Sequence, residues 1–320
     1  MIKKIIISAC LLLSLMTFAQ DGTASPYSFY GIGDVRYKGV QESRSMTGLA
    51  VEQDSIHINL DNPASYSNLK LTTFTVGGTY CTVNQKTNSL SESAKRSTFD
   101  YLAVGLPLGK FGLGFGMIPY SSVGYKIKSV SADNSKNSYR YNGSGGLNKV
   151  FLGLGYKINP KFSIGADVNY NFGKIETNSL TYIYNLPIGT QETNTAVLSG
   201  VNFNVGMMYQ TKINKKLNFY NSLNYTLEST LTSKNTQNRA AVSINSNFNL
   251  SSLDSANDVN SQIDLTLPSK ITFGSGIGES KKWLLGAQIS LGEKGSLSNS
   301  YNTFSNVSYE SYQKYCIGHL

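Results

Sequence analysis

The chain has 320 residues, of which 40% are hydrophobic and only 15% charged, with 30 Gly and 21 Tyr and a formal net charge of +9. That length admits one large barrel or two small domains, and the modest apolar content argues against a core-rich enzyme. The Lys and Arg residues are scattered rather than gathered in a stripe, which excludes a nucleic-acid-binding groove.

Taken in order, the chain begins with the basic pair Lys3-Lys4, an apolar run from Ile5 to Phe18, and small residues at Thr17 and Ala19. This is the composition of a secretory leader cut before Gln20, so residues 1–19 are expected to be removed and the chain exported. Ile7-Ser8-Ala9-Cys10 imitates a lipoprotein cleavage box, but cutting there leaves a short apolar run before it and the apolar Leu11-Leu12-Leu13 after it. Later in the chain there is no run of the about 18 apolar residues that a transmembrane helix needs, so membrane residence has to come from strands. Residues 20–68 do not alternate cleanly and carry turn formers at Gly31, Gly33, Gly48 and Asn62-Pro63, which predicts a compact segment ahead of the repeating part. Gly31-Ile32-Gly33 is not a phosphate loop, because Arg36 stands where a third glycine is needed and no strand feeds it.

From residue 69 onward the pattern has period two, the signature of strands. Phe74, Val76 and Tyr80 share one parity, Leu102 to Leu108 alternate with small residues, and the Gly109-Lys110 turn leads into Phe111, Leu113, Phe115 and Met117 over Gly112, Gly114 and Gly116. The most regular unit is Asn148 to Asn171. Val150, Leu152, Leu154 and Tyr156 precede a turn at Asn159-Pro160-Lys161, and Phe162, Ile164, Ala166, Val168 and Tyr170 follow it, interleaved with Ser163, Gly165, Asp167 and Asn169. Phe162 to Tyr170 is about 26 Å along a strand, or about 20 Å of height at a tilt of about 40°, close to the apolar band of a membrane barrel with aromatics at its rims. The same pattern returns at Val197 to Tyr209, Leu217 to Tyr225, Ile271 to Ile277 and Trp283 to Leu291, while Glu228 to Asp264 is Ser/Asn-rich with a polar strand expected near Ala240 to Phe248.

Connections alternate in length. Gly109-Lys110, Asn159 to Lys161, Lys212 to Lys216 and Glu279 to Lys282 are short, whereas about 121–146, 173–195, 229–262 and 292–299 are expected to be long loops. Phe111, Tyr156, Phe162, Tyr209, Phe219 and Trp283 gather beside the short turns on the outward parity, as one aromatic girdle. A soluble sandwich predicts neither correlation. The fold class read from these patterns is all-β, a transmembrane antiparallel β-barrel of about 12–14 strands over residues 69–320, behind an N-terminal segment at 20–68.

Two motifs add a resemblance. Met46, Gly48, Ala50 and Asp54, followed by Asn62-Pro63-Ala64, are similar to the amino-terminal pattern of the long-chain fatty acid outer-membrane channels of the FadL and TodX type. Leu267-Pro268-Ser269, Gly274, Gly276, Trp283 and Gly286-Ala287 resemble the late-barrel hairpin of the same channels. The resemblance implies a porin-like channel in the outer membrane of a Gram-negative-type bacterium, with Met46, Gly48, Asn62, Pro63 and Ala64 in a plug inside the barrel. It implies passive uptake of hydrophobic small molecules such as fatty acids, with outer-membrane lipid and a hydrophobic ligand as partners, no cofactor and no reaction catalysed. The alternative is the same barrel used as a scaffold for partner proteins in secretion or surface attachment.

Catalytic chemistry has little to build on. His57 and His319 are the only histidines, too few and too far apart for a Ser-His or Cys-His nucleophile system, and Asp133, Glu176 and Asp254 have no metal-ligand spacing. Lys149, Lys157 and Asp167 have interior parity, and Lys149 is the candidate contact for a ligand head group. Outside the leader, Cys81 and Cys316 are expected to be thiols, with a disulfide between them as the alternative. The final strand pattern, ending at Leu320, leaves two expectations: the chain continues in its closest kin beyond this point, with a gap between first and last strands, or Tyr312 to Ile317 pairs with Thr72 to Tyr80 to close a smaller barrel.

Overall fold

The computed structural model describes residues 23–35, 39–52, 54–86, 91–184, 186–245, 249–279, 282–296 and 309–319. The leader expected at 1–19 lies outside the described residues, as do Arg36 and the end of the strand expected near Ala240 to Phe248.

Among the described residues the chain folds as one antiparallel sheet preceded by a segment of short turns. Strand β1 (Asp34–Val35) and helix α1 (Gln41–Ser45) lie in that segment, with 3-10 turns at Pro26–Phe29 and Pro63–Asn68. The sheet strands are β2 (Thr73–Lys86), β3 (Ser91–Leu108), β4 (Phe111–Ser129), β5 (Asn137–Asn159), β6 (Phe162–Ile183), β7 (Ile188–Lys212), β8 (Leu217–Thr226), β9 (Ser229–Ile244), β10 (Leu250–Ser255), β11 (Val259–Leu267), β12 (Lys270–Glu279), β13 (Trp283–Gly292) and β14 (Tyr312–His319). Their order is β14-β13-β12-β8-β7-β6-β5-β4-β3-β2, with β9 continuing along the β7 edge above β8, and β10 and β11 along β9. No described helix is long and apolar enough to cross a membrane.

The turns form for local reasons. Gly109 takes a φ of 72°, open to glycine, in the two-residue link between β3 and β4. At the next short turn the Asn159 side chain accepts from the backbone N–H of Lys161 and of Phe162, each at 2.9 Å, which fixes the reversal into β6.

Burial along β6 is the reverse of a soluble sheet. Val168 is 38% and Tyr170 50% exposed, whereas Asp167, Asn169 and Asn171 are buried. β7 repeats this, with Val201, Phe203, Val205 and Met207 exposed and Asn202 and Asn204 buried. Water would not select an apolar outer and polar inner face, but a bilayer outside and a packed interior do.

The sheet rolls around the N-terminal segment. Arg44 reaches Thr79 and Asp100, on β2 and β3, while Thr47, three residues on, donates to the Ile317 carbonyl of β14 at 2.8 Å. The same short stretch therefore touches strands at both edges, which a flat sheet cannot allow. β2 pairs with β3 and β14 with β13, and among the described residues the two edges are not joined to each other. The pairing of Tyr312 to Ile317 with Thr72 to Tyr80 is thus not found; Arg44 and Thr47 stand between those strands instead.

The long loops expected at about 121–146, 173–195 and 229–262 are largely strand. β4 and β5 pair as far as Ser129 and Tyr139, and β6 and β7 as far as Tyr182 and Gly189. The 22 residues of β6 make about 73 Å of strand, or about 55 Å of height at a tilt of about 40°, against an apolar band of about 25 Å. These hairpins run past the band, where the outer face no longer needs to be apolar. The alternation fades there although the ladder continues.

Candidate functional site

The interior is organised by Asn62-Pro63-Ala64. Pro63 opens the 3-10 turn, where its missing N–H costs nothing, and Asn62 caps it by accepting from the Ala64 N–H at 3.0 Å. The Asn62 Nδ2 group then donates to two strand carbonyls, Met207 of β7 and Leu223 of β8, both at 3.1 Å. The wall makes room with glycine. A Cβ at Gly165 would fall 2.5 Å from the Ala64 nitrogen, and one at Gly206 would collide with the Asn62 side chain. Tyr66, 1% exposed, lies against Gly114 and Gly153 in the same way.

Met46 and Gly48 hold the other side. Gly48 takes a φ of 100° and donates to the Ser43 carbonyl at 2.7 Å, turning the chain out of α1. Its own carbonyl accepts from Gln288 of β13 at 3.3 Å. Met46 packs against Leu49, Val51, Tyr220 and Leu284, and its carbonyl faces Gly318 of β14. The five residues named from sequence therefore sit on one continuous segment that contacts β6, β7, β8, β13 and β14.

Two polar contacts of the segment went unread in the sequence, one to the sheet and one within the segment. Arg44 pairs with the buried Asp100 carboxylate at 2.7 Å, and Thr79 donates to the same oxygen. Nothing in the spacing of residues 44, 79 and 100 announces this contact, which depends on the sheet's curvature. On the exposed surface of the segment, His57 Nδ1 donates to Asp54 at 2.6 Å and its Nε2 lies 3.8 Å from Glu42. The hydrogen bond to Asp54, with the nearby acids, raises the His57 pKa above 6.5 in spite of partial burial. Burial raises the Asp54 pKa, but the hydrogen bonds from His57 and the Ile56 N–H outweigh it, and the net shift is downward.

A cavity of about 510 Å³ lies between the segment and the wall of β7, β8, β12 and β13. Lys149 lines it, 2% exposed, with its Nζ 4.8 Å from the Tyr120 ring centroid, so the interior parity read for Lys149 holds. Asp167, with the same parity, is buried as well, accepting from Asn169 and from Asn204, and Lys157 is half-buried on the interior parity. The cavity reaches the wall where two neighbouring ladders are interrupted. β8 stops at Thr226 and β9 starts at Ser229, while β11 stops at Leu267 and β12 starts at Lys270. Pairing runs up to Lys270 with Thr226 and resumes at Leu267 with Ser229. Leu227, Leu267 and Pro268 line the cavity at that break, and Pro268 has no N–H to give to a ladder.

Among the described residues, no group of three or more His, Cys, Asp or Glu is placed to hold a metal ion, and Cys81 and Cys316 are free thiols.

Solved structures share this fold. The chain is similar to the Ralstonia pickettii toluene transporter TbuX, with 13% identity, a TM-score of 0.51, and coverage of 88% of this chain and 79% of that one. It is also similar to the CymD monoaromatic hydrocarbon channel, at 12% identity, TM-score 0.52, covering 91% and 80%. The P. putida toluene transporter TodX matches at 14% identity and a TM-score of 0.53, covering 81% of this chain and 71% of that one. At such identities the likeness is one of fold. No curated protein sequence matches the chain. A family model described as BamG matches residues 1–320, and the chain belongs to the BamG family.

Proposed function

We propose that this protein is an outer-membrane channel through which small hydrophobic molecules pass by diffusion, with residues 20–68 as its plug and residues 69–320 as its barrel. The observation that carries the reading is the cavity of about 510 Å³ placed against the interrupted ladder at Leu227 and Pro268. Irregular backbone at membrane depth is tolerated where it lines a cavity rather than faces lipid, and at this break the Leu227 N–H is bonded to the Phe203 carbonyl and the Glu293 N–H to the Ser269 carbonyl. An apolar solute resting there has a route from the interior towards the bilayer that does not require the plug to leave. The apolar outer face and the fold shared with hydrocarbon channels support outer-membrane residence. Nothing in the cavity singles out a fatty acid, and Lys149 is proposed as the contact for a ligand's polar end.

The test is uptake of butylbenzene by cells with an intact lipopolysaccharide leaflet, with and without the protein. Expression should speed uptake, and Ser229→Trp, which adds an indole at the cavity wall, should return it to background. Uptake that is equal with and without the protein sinks the channel reading. Deleting Gln41 to Ser65 should raise permeability to small polar solutes while the sheet still inserts; unchanged permeability in an inserted protein contradicts the plug.

A second reading, a scaffold for partner proteins, is favoured by one observation. The β6–β7 tip carries Leu186 and Ile188 at 53% and 56% exposure, and β10–β11 carries Leu253 and Val259, each at 58%. Solvated hairpin tips gain nothing from such residues unless something covers them. Under this reading Leu186→Ser with Ile188→Ser dissolves a native-sized complex on blue native gels without changing butylbenzene uptake; an unaltered complex argues against it.

A further inference from the structure

Lysines that lie far apart in the sequence are gathered by the fold at one end of the sheet. Two of the short turns there are built alike: Asn214 accepts from the backbone N–H of Lys216 and of Leu217, at 2.9 and 2.8 Å, as Asn159 does from Lys161 and Phe162. Each turn thereby sets a lysine immediately before the first residue of the next strand. Lys110 stands in the same way before Phe111, and Lys282 before Trp283. With Lys212 and Lys215 the short links hold six exposed lysines among the described residues, against a single acid, Glu279, which pairs with Lys282 at 2.7 Å. Leu217 and Trp283 are both register partners of Glu279, so the lysines of the β7–β8 turn lie beside the turn that carries Trp283.

The opposite end does not share this surplus. Asp133 there faces Lys136 at 3.7 Å, and the β10–β11 hairpin carries Asp254, Asp258 and Asp264 with no Lys or Arg. Glu42 and Asp54, whose neighbour Ile56 is bonded to the start of β2, are engaged with His57 on the N-terminal segment. The rim of short turns is therefore cationic as a whole.

Depth decides what such a rim can meet. Lys110, Lys161 and Lys282 each adjoin an aromatic of the girdle, so their backbone lies about 3 Å along the strand from the edge of the apolar band. The head-group layer beyond that edge is about 5–8 Å deep, and a lysine stem reaches through it. Turns this short raise no surface past that layer for a soluble protein to grip, whereas lipid phosphates lie within it. Barrels keep their short turns on the periplasmic side.

We infer that the short-turn rim binds anionic phospholipids of the periplasmic leaflet, selecting a head group such as phosphatidylglycerol over a zwitterionic one, with Lys215 and Lys216 forming one such site beside Trp283. This rests on the reading of the chain as an outer-membrane barrel and adds the class of lipid that its inner rim selects.

Trp283 is the sole tryptophan and is 41% exposed on the outer face, so its fluorescence reports the lipid beside it. The full protein is reconstituted in phosphatidylcholine vesicles containing a rising share of brominated phosphatidylglycerol or of brominated phosphatidylcholine, and quenching gives the relative affinity of the two lipids. In low salt phosphatidylglycerol is expected to bind about fivefold more strongly, the pull of one well-placed lysine, and the ratio should fall towards one in about 1 M salt. Lys215→Gln with Lys216→Gln should bring the low-salt ratio to about twofold or less. Lys126→Gln with Lys128→Gln, which removes two exposed lysines of β4 beyond the other edge of the band, should leave it unchanged. Heat-modifiable migration on gels confirms that each variant is inserted. Equal quenching by the two lipids in low salt, a ratio that survives the β7–β8 turn variant, or one that falls as far in the β4 variant overturns lipid selection by this rim while leaving a lipid-facing Trp283 in place. Quenching by neither lipid overturns the outer-membrane reading itself, and the selection with it.

Discussion

Asn62→Ala probes how the N-terminal segment is held. The substitution removes the cap on the Pro63–Asn68 turn and both amide donations to Met207 and Leu223. Losing an Asn cap costs about 1 kcal/mol, and each donation to a strand carbonyl is worth about 1 kcal/mol net, so the segment should lose about 3 kcal/mol of docking. Since about 1.4 kcal/mol is a factor of ten, the undocked population should rise on the order of 100-fold. Ala64 is 0% exposed when docked, so a cysteine placed there reports undocking. With Cys81 and Cys316 changed to Ser, the rate at which Ala64→Cys reacts with a water-soluble maleimide should rise on the order of 100-fold when Asn62→Ala is added. A rate within about twofold of the parent would show that glycine-backed packing alone holds the segment and that the Asn62 bonds add nothing.

Other outcomes follow from the same contacts. Arg44→Ala removes a charge-assisted bond from the buried Asp100 carboxylate, which keeps its bonds from Thr79 and Thr98, and should cost about 2 kcal/mol in urea unfolding, with much of that recovered in Arg44→Ala/Asp100→Asn; full additivity of the two changes contradicts the pairing. Because the His57 pKa is raised by Asp54, its contribution to the folded N-terminal segment is fully present below about 6.5 and is lost as pH rises through the folded value. The Asp54 contribution runs the other way, present above about 3.9 and lost as pH falls through its lowered value; a urea-unfolding midpoint that does not move from pH 3 to 9 denies both. Val168→Lys on the outer face of β6 should cost about 2–4 kcal/mol of folding free energy in lipid, whereas the exposed Lys215 in the β7–β8 turn tolerates Ala with little change; equal effects contradict a lipid-facing Val168.

Much of this was legible from residue order. Period two at Phe162 to Tyr170 with Asp167 and Asn169 between them fixed both the strand and its inside-out burial, because each residue's face follows from parity alone. The Asn-Pro-Ala turn was visible for the same reason, as capping and the lack of a proline N–H are local chemistry. The hairpin extensions were misread as loops because hydrophobic contrast, not pairing, carries the sequence signal, and above the apolar band the contrast disappears while the ladder goes on. The interior alliances, Arg44 with Asp100 and Asn224 with Asn204 and Asp167, depend on which strands the curved sheet brings together. Only the recurrence of Asn on the inner parity of β6, β7 and β8 hinted at the second of them.

The inside-out orientation of the sheet is tested most directly by spin labels placed singly at residues 162–171 of β6 in the lipid-reconstituted protein. Oxygen accessibility should peak at positions 164, 166, 168 and 170 and fall at 163, 165, 167, 169 and 171, with the nickel chelate excluded from the peaks. Peaks accessible to the nickel chelate, or a profile without period two, would contradict a sheet that faces lipid on one side and its own N-terminal segment on the other.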